Sequence, residues 1–258
     1  MSDVSGLGTS SYNSYSDYGK FASGSKINSA ADGAAESAIL EKENAQINGY
    51  QAGTNNIQSG KEVLNITDSA LGSINDYLQR IRELALDASN TAIYTDEDRA
   101  SMQDEIEQMK QGIADVASNT SYNTLPLLDG SNMGMNIATD ANGSGTVVST
   151  PNATLEALGI ADFDVTGAFD LKTIDDAIQT VSAGRSSVGA QSNALDYAMN
   201  YNSNTMENLT AAKSTLEDLD YPQAISDQKK KETLQLYTLM MQRKQQENEE
   251  QKVSMMYR

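Results

Sequence analysis

From Leu171 to Leu216 one spacing runs without a break. Leu171, Ile174, Ile178 and Val181 open it, Met206, Leu209, Lys213 and Leu216 close it, and every step is three or four residues. An α-helix shows a single stripe at that spacing, and over this span it would extend roughly 70 Å at ~1.5 Å per residue. A stripe so long and narrow needs a partner of similar character. The polar members Arg185, Ser192, Asn202 and Lys213 fix register or mark where the seam opens.

Two earlier stretches supply partners. Ile57, Leu64, Leu71, Leu78 and Ala85 recur every seven residues, and Ile74, Ile81 and Ala88 fall three places after the last three of them. That alternation predicts a helix packed lengthwise on another helix, with a weaker start because Gly60 and Thr67 occupy the matching positions. Met102, Ile106, Met109, Ile113 and Val116 form a second seam. Thr95 stands three residues ahead of the Asp98 carboxylate, a near match to a capping box, and predicts where that helix starts. The short connection makes it an antiparallel neighbour of the first helix.

Composition agrees with a helical bundle. Only 38% of the 258 residues are hydrophobic, and Trp, His and Cys are absent. Narrow seams need fewer large apolar side chains than a compact core, so an elongated antiparallel bundle is favoured. A formal net charge of −18 argues against nucleic-acid partners. No stretch approaches the ~20 apolar residues of a membrane span. The opening MSDVSGLGTSSYNSYSDYGKF has neither a basic nor an apolar signal region, so export would use another route.

The remaining stretches divide the chain. Residues 1–25, rich in Ser, Gly and Tyr, read as disordered or conditionally ordered. Ala30 to Ile39 favours helix, and Glu41 to Gly53 reads as a loose connection. Periodicity fails from Ser118 to Gly167. There Met135–Ile137 and Thr146–Val148 flank Asn142-Gly143, predicting a small β-hairpin and little else. Pro222 breaks the last long helix. Leu234, Leu236, Tyr237, Leu239, Met240 and Met241 form an apolar patch, and 242–252 has no apolar residue, so a helix there would lack a buried face. The expected segments are 1–50 (N-terminal, partly disordered), 51–130 (helical core), 131–170 (short variable region with the hairpin), 171–220 (helical core) and 221–258 (C-terminal).

Catalytic chemistry finds no support. Without His or Cys the common metal ligands and nucleophile–base pairs are missing, so no enzyme, metal or cofactor is expected. Glu105 and Glu107 read as solvated surface. The Gly130–Gly134 and Asn142–Gly145 stretches lack the Lys-Ser/Thr of a phosphate loop.

Several runs resemble bacterial flagellins. Ser23-Gly24-Ser25-Lys26-Ile27-Asn28-Ser29-Ala30-Ala31-Asp32 is similar to the family's SGLRINSAADD, and Leu78 to Ala85 reads LQRIRELA as the family does. Asp96–Arg99, Gln103–Ile106 and Leu127–Gly130 continue the resemblance in order. Thr173–Ile178 and Glu207–Ser214 resemble the C-terminal region. The similarity covers roughly residues 23–130 and 171–220.

The resemblance implies a mainly α, rod-like core in which N- and C-terminal regions associate, with outer domains essentially absent here. It also implies export through the flagellar type III apparatus, self-assembly into the extracellular filament, and an export chaperone and filament cap as partners. The chain departs from the family at both termini: residues 1–22 lack the usual apolar opening, and 242–252 are wholly polar, though Val253–Arg258 resembles the family's ending. Two alternatives therefore stay open. One is an exported flagellin-like or hook–filament-junction-type protein that assembles poorly, and the other is a soluble coiled coil that binds a partner.

The resemblance further implies recognition by a vertebrate innate flagellin receptor, with Gln79, Arg80, Glu83, Leu84 and Glu105 at the matching positions. The plainer reading makes Arg80 and Glu83 an ordinary i,i+3 surface pair worth a few tenths of a kcal/mol. In that reading Leu84 packs against the third long helix.

Overall fold

A computed structural model describes residues 18–132 and 134–256. Expectations for residues 1–17 lie outside these. From Ala34 onward the named elements follow in order: α1 (Ala34–Ala88), α2 (Asp96–Asn119), β1 (Ser121–Tyr122), β2 (Leu125–Pro126), β3 (Met135–Ala138), β4 (Gly145–Val148), α3 (Leu155–Leu158), α4 (Leu171–Glu217) and α5 (Tyr221–Met256). The chain divides into two compact units, 46–207 and the combination of 1–45 with 208–258.

In the unit 46–207 the heptad seam is the core. Ile57, Leu64, Leu71, Ile74, Leu78, Ile81, Ala85 and Ala88 are all buried, as are Ile106 and Ile113 of α2 and Ile174, Val181, Val188 and Leu195 of α4. Each fully buried Leu or Ile contributes about 1.5–3 kcal/mol, which is why a narrow seam suffices. Cross-helix ion pairs give the directions. Lys61 meets Asp196, Arg185 meets Asp68 at 2.9 Å, and Arg82 meets Asp175 at 2.6 Å, so α4 runs antiparallel to α1. Thr95 caps α2 with both halves of the box: its Oγ1 accepts from the Asp98 amide at 3.2 Å, and the Asp98 carboxylate accepts from the Thr95 amide at 2.9 Å.

The loose connection expected at 41–53 is instead part of one continuous helix. Glu41, Lys42, Glu43, Ala45 and Ala52 are good helix formers, and the β3–β4 hairpin closes on its Gly49 and Gly53. A Cβ on Gly49 would lie 2.7 Å from the Ala141 Cβ, and one on Gly53 would lie 2.5 Å from the Thr139 carbonyl oxygen. Gly60 is likewise met by Ile137 and Leu195. The weak start of the seam is therefore a place of close approach. Thr67, the other non-apolar position, is buried and donates its hydroxyl to the Val63 carbonyl at 2.8 Å.

The hairpin pairs Met135 with Val148 through Ala138 with Gly145, as the strand pattern predicts. The surrounding segment does more than expected. A second ladder pairs Ser121–Tyr122 with Leu125–Pro126 around a turn in which Asn123 and Thr124 both take positive φ. Leu127, Leu128, Ala153, Leu158, Ile160, Phe163 and Val165 are buried in the same core as the helices. The buried Lys110 donates to Glu107 at 2.9 Å and to the Phe163 carbonyl at 3.5 Å, and Gln103 accepts from the Val165 amide at 2.9 Å. Lack of period thus marks irregular backbone, not lack of core.

In the other unit, residues 18–23 are helical, and the chain then pairs with the α4–α5 junction. Ser25 bridges Asp218, the Lys26 amide donates to the Glu217 carbonyl at 2.7 Å, and the Leu219 amide donates to the Gly24 carbonyl at 2.8 Å. Pro222 stands in the first turn of α5, where its missing N–H costs nothing, and the break lies just before it. Asp220 caps that turn by accepting from the Gln223 amide at 3.1 Å. No residue of α5 is buried.

Candidate functional site

The Leu78–Ala85 run lies near the C-terminal end of α1, opposite the first turns of α2. Helical spacing turns Leu78, Ile81 and Ala85 into the core and leaves Gln79, Arg80 and Glu83 outside. Arg80 reaches across to α2. Its Nε and Nη2 both donate to Glu105 Oε1, at 2.9 and 2.8 Å, while Nη1 donates to Glu83 Oε2 at 3.1 Å. Arg80 is still 48% exposed, Glu83 67% and Glu105 38%. Glu105 first and Glu83 second raise the already high pKa of the guanidinium, so its charge is permanent. Exposed pairs of this kind add little to stability. What the arrangement achieves is orientation: one guanidinium fixed among two carboxylates, facing solvent.

Of the stripe Tyr77, Arg80 and Leu84, the first two face α2. A Cβ on Gly112 of α2 would lie 2.9 Å from the Tyr77 ring, so the tyrosine fills the space that this glycine leaves. Leu84 is only 5% exposed and belongs to the core. The structure thus brings together Arg80, Glu83 and Glu105, leaves Gln79 exposed beside them, and places Leu84 beneath.

The arrangement holds no nucleophile and base. No cluster of three or more metal-ligating side chains occurs among the described residues. An open recess of about 510 Å³ is lined by Asp162, Asp164 and Asp170 with Phe163 and Phe169. Two of its carboxylates are already committed to local backbone: Asp164 accepts from the Thr166 amide, which lowers its pKa, and Asp170 accepts from the Lys172 amide.

A second surface was only partly foreseen. On α5, Leu234, Leu236, Tyr237, Leu239, Met240 and Met241 are all exposed, as are Val253, Met255 and Met256. Leu234, Tyr237 and Met241 share one side of the helix, and Leu236 and Met240 share another. Sequence reasoning missed the junction that starts this helix. Tyr221 donates its hydroxyl to the Phe21 carbonyl at 3.1 Å, with the two rings 6.2 Å apart. Lys20 pairs with Asp32 at 2.8 Å. The Gly49-x-x-x-Gly53 spacing is a readable signal of close approach that lies outside the apolar seam.

The sequence matches the bacterial flagellin N-terminal helical region over residues 6–133 and the bacterial flagellin C-terminal helical region over residues 171–253. A flagellin of Halalkalibacterium halodurans is 35% identical over 211 residues, covering 78% of this chain and 76% of its own length. A flagellin of Bacillus subtilis is 34% identical over 247 residues, 81% of each chain. Among solved structures, Bacillus cereus flagellin is similar with a TM-score of 0.51 at 27% identity, over 57% of this chain and 88% of that one.

Proposed function

The chain belongs to the bacterial flagellin family, and from that premise we propose that this structural subunit of the flagellar filament associates with its copies through α5 and offers Arg80 to a vertebrate innate flagellin receptor. The observation that carries the first part is the state of α5: eleven large apolar residues exposed and none buried. Between 234 and 241 those residues lie on more than one side. A helix apolar on several sides is stable when neighbours surround it, which fits packing among several subunits better than pairing with one.

The wholly polar stretch 242–252 is the observation that favours poor assembly, because it divides the apolar surface in two. Electron microscopy and sedimentation after seeding decide between the readings. Long filaments are expected, and a persistently small species would remove the assembly reading. A Leu236→Glu, Leu239→Glu variant should stay small under the same seeding.

The receptor reading rests on the Leu78–Ala85 match to the family's motif and on the exposed, pre-oriented Arg80. Gln79, Glu83 and Glu105 complete the face, and Leu84 supports it from the core. An Arg80→Ala variant should lose at least about tenfold in affinity for the receptor ectodomain, since a charge-assisted contact contributes more than a neutral one. Unchanged affinity would take Arg80 out of the site. Export through the flagellar apparatus without a cleaved signal, with an export chaperone and a filament cap as partners, belongs to the same proposal. So does the assignment of 51–130 and 171–220 to the helical core, with 131–170 a short variable region.

A further inference from the structure

The methionines are unevenly placed. Among the described residues, Met102, Met109, Met135, Met199 and Met206 are half-buried. The four exposed ones, Met240 at 62%, Met241 at 44%, Met255 at 73% and Met256 at 85%, all belong to α5. They occupy both apolar islands of that helix and lie within the surface assigned above to self-association.

We infer that these four thioethers form an oxidation-sensitive switch on the association surface, with a peroxide as the oxidant. The sulfur lone pair attacks one peroxide oxygen. The S–O bond forms as the O–O bond breaks, sulfur loses two electrons, and hydrogen peroxide leaves as water once the transferred oxygen's proton reaches the departing hydroxide. The product is a methionine sulfoxide, converted back to the thioether by methionine sulfoxide reductases. An apolar, pliable side chain becomes a polar one with a strong acceptor, and burying that acceptor between subunits without a donor is unfavourable. Polar residues 242–252 already limit the apolar surface, so polarity added at Met240, Met241, Met255 and Met256 removes a large share of what remains. Free subunits expose these sulfurs, whereas packing around α5 would shield them. Oxidation therefore acts on subunits before they associate.

The inference rests on α5 being the association surface, and the test separates the two. The full chain is treated with hydrogen peroxide, mapped by peptide mass spectrometry and compared with untreated chain by sedimentation after seeding. The four α5 methionines should gain one oxygen each before the half-buried five, and association should weaken by at least about tenfold. Sulfoxide reductase should restore it, and a Met240→Leu, Met241→Leu, Met255→Leu, Met256→Leu variant should associate equally with and without peroxide. Uniform oxidation of all methionines, or oxidised chain that associates like untreated chain, would overturn the inference alone. Untreated chain that never associates would overturn the α5 reading and, with it, the switch.

Discussion

Gly53 and Gly72 lie on the same helix, and their environments predict opposite outcomes for the same substitution. A Cβ at Gly53 would sit 2.5 Å from the Thr139 carbonyl oxygen and 3.3 Å from Asn202 Nδ2, while at Gly72 nothing lies within 4 Å. Gly72→Ala should stabilise the chain by about 0.5–1 kcal/mol through helix propensity alone. Gly53→Ala gains the same propensity but overpacks the hairpin, and should destabilise by about 1–3 kcal/mol. Urea denaturation of both variants checks the contrast. Asn202 shows a related use of a polar residue at this place: it is buried, and its amide donates to Thr139 O at 2.7 Å, tying α4 to the hairpin. Its position in the stripe was legible. Its role was not, because its partner lies far away in sequence.

Two elements depend on termini that side chains hold. At the start of α2, Thr95→Ala removes the hydroxyl that accepts from the Asp98 amide and donates to the Asp98 carboxylate, leaves the backbone half of the box in place, and should cost about 1 kcal/mol, measured by thermal unfolding. This much was readable, since a cap is a local event. The pairing of residues 18–32 with the α4–α5 junction was not. There Lys20 first, then Ser29 and the Asn28 amide, hold the Asp32 carboxyl down to about 2 from an ordinary 3.8. A carboxyl whose pKa is lowered on folding contributes stability that is fully present above its unfolded value and lost as pH falls through the folded one. Amide protection at Lys26 and Leu219 should therefore persist down to about pH 4 and fade as pH drops towards 2. Lys20→Ala should move that fading to higher pH, and an unmoved profile would take the ion pair out of the account.

For the molecule as a whole, the unit 46–207 draws its stability from one seam. Leu78, fully buried at its middle, should cost about 2–5 kcal/mol when replaced by Ala, because the helices around it relax only partly into the cavity. Guanidinium denaturation measures the loss. α5 contrasts with that unit, because none of its residues is buried among the described residues. The proposed association through α5 draws on the same driving force as folding, at a different place.

The sequence by itself determined the three long seams and the helical part of the core, because a 3-4 spacing held over many turns leaves a helix no other face to bury. It also determined the family, through runs such as Leu78–Ala85. Only the tertiary structure decided that the thin stretch at 41–53 is helix, that 118–167 feeds the common core, and that Tyr77 and Arg80 face α2. The reason is the same in each case. Gly53 against Thr139, Lys110 against Phe163 and Arg80 against Glu105 are contacts between residues far apart in the chain, and periodicity records only what a helix does with its own neighbours.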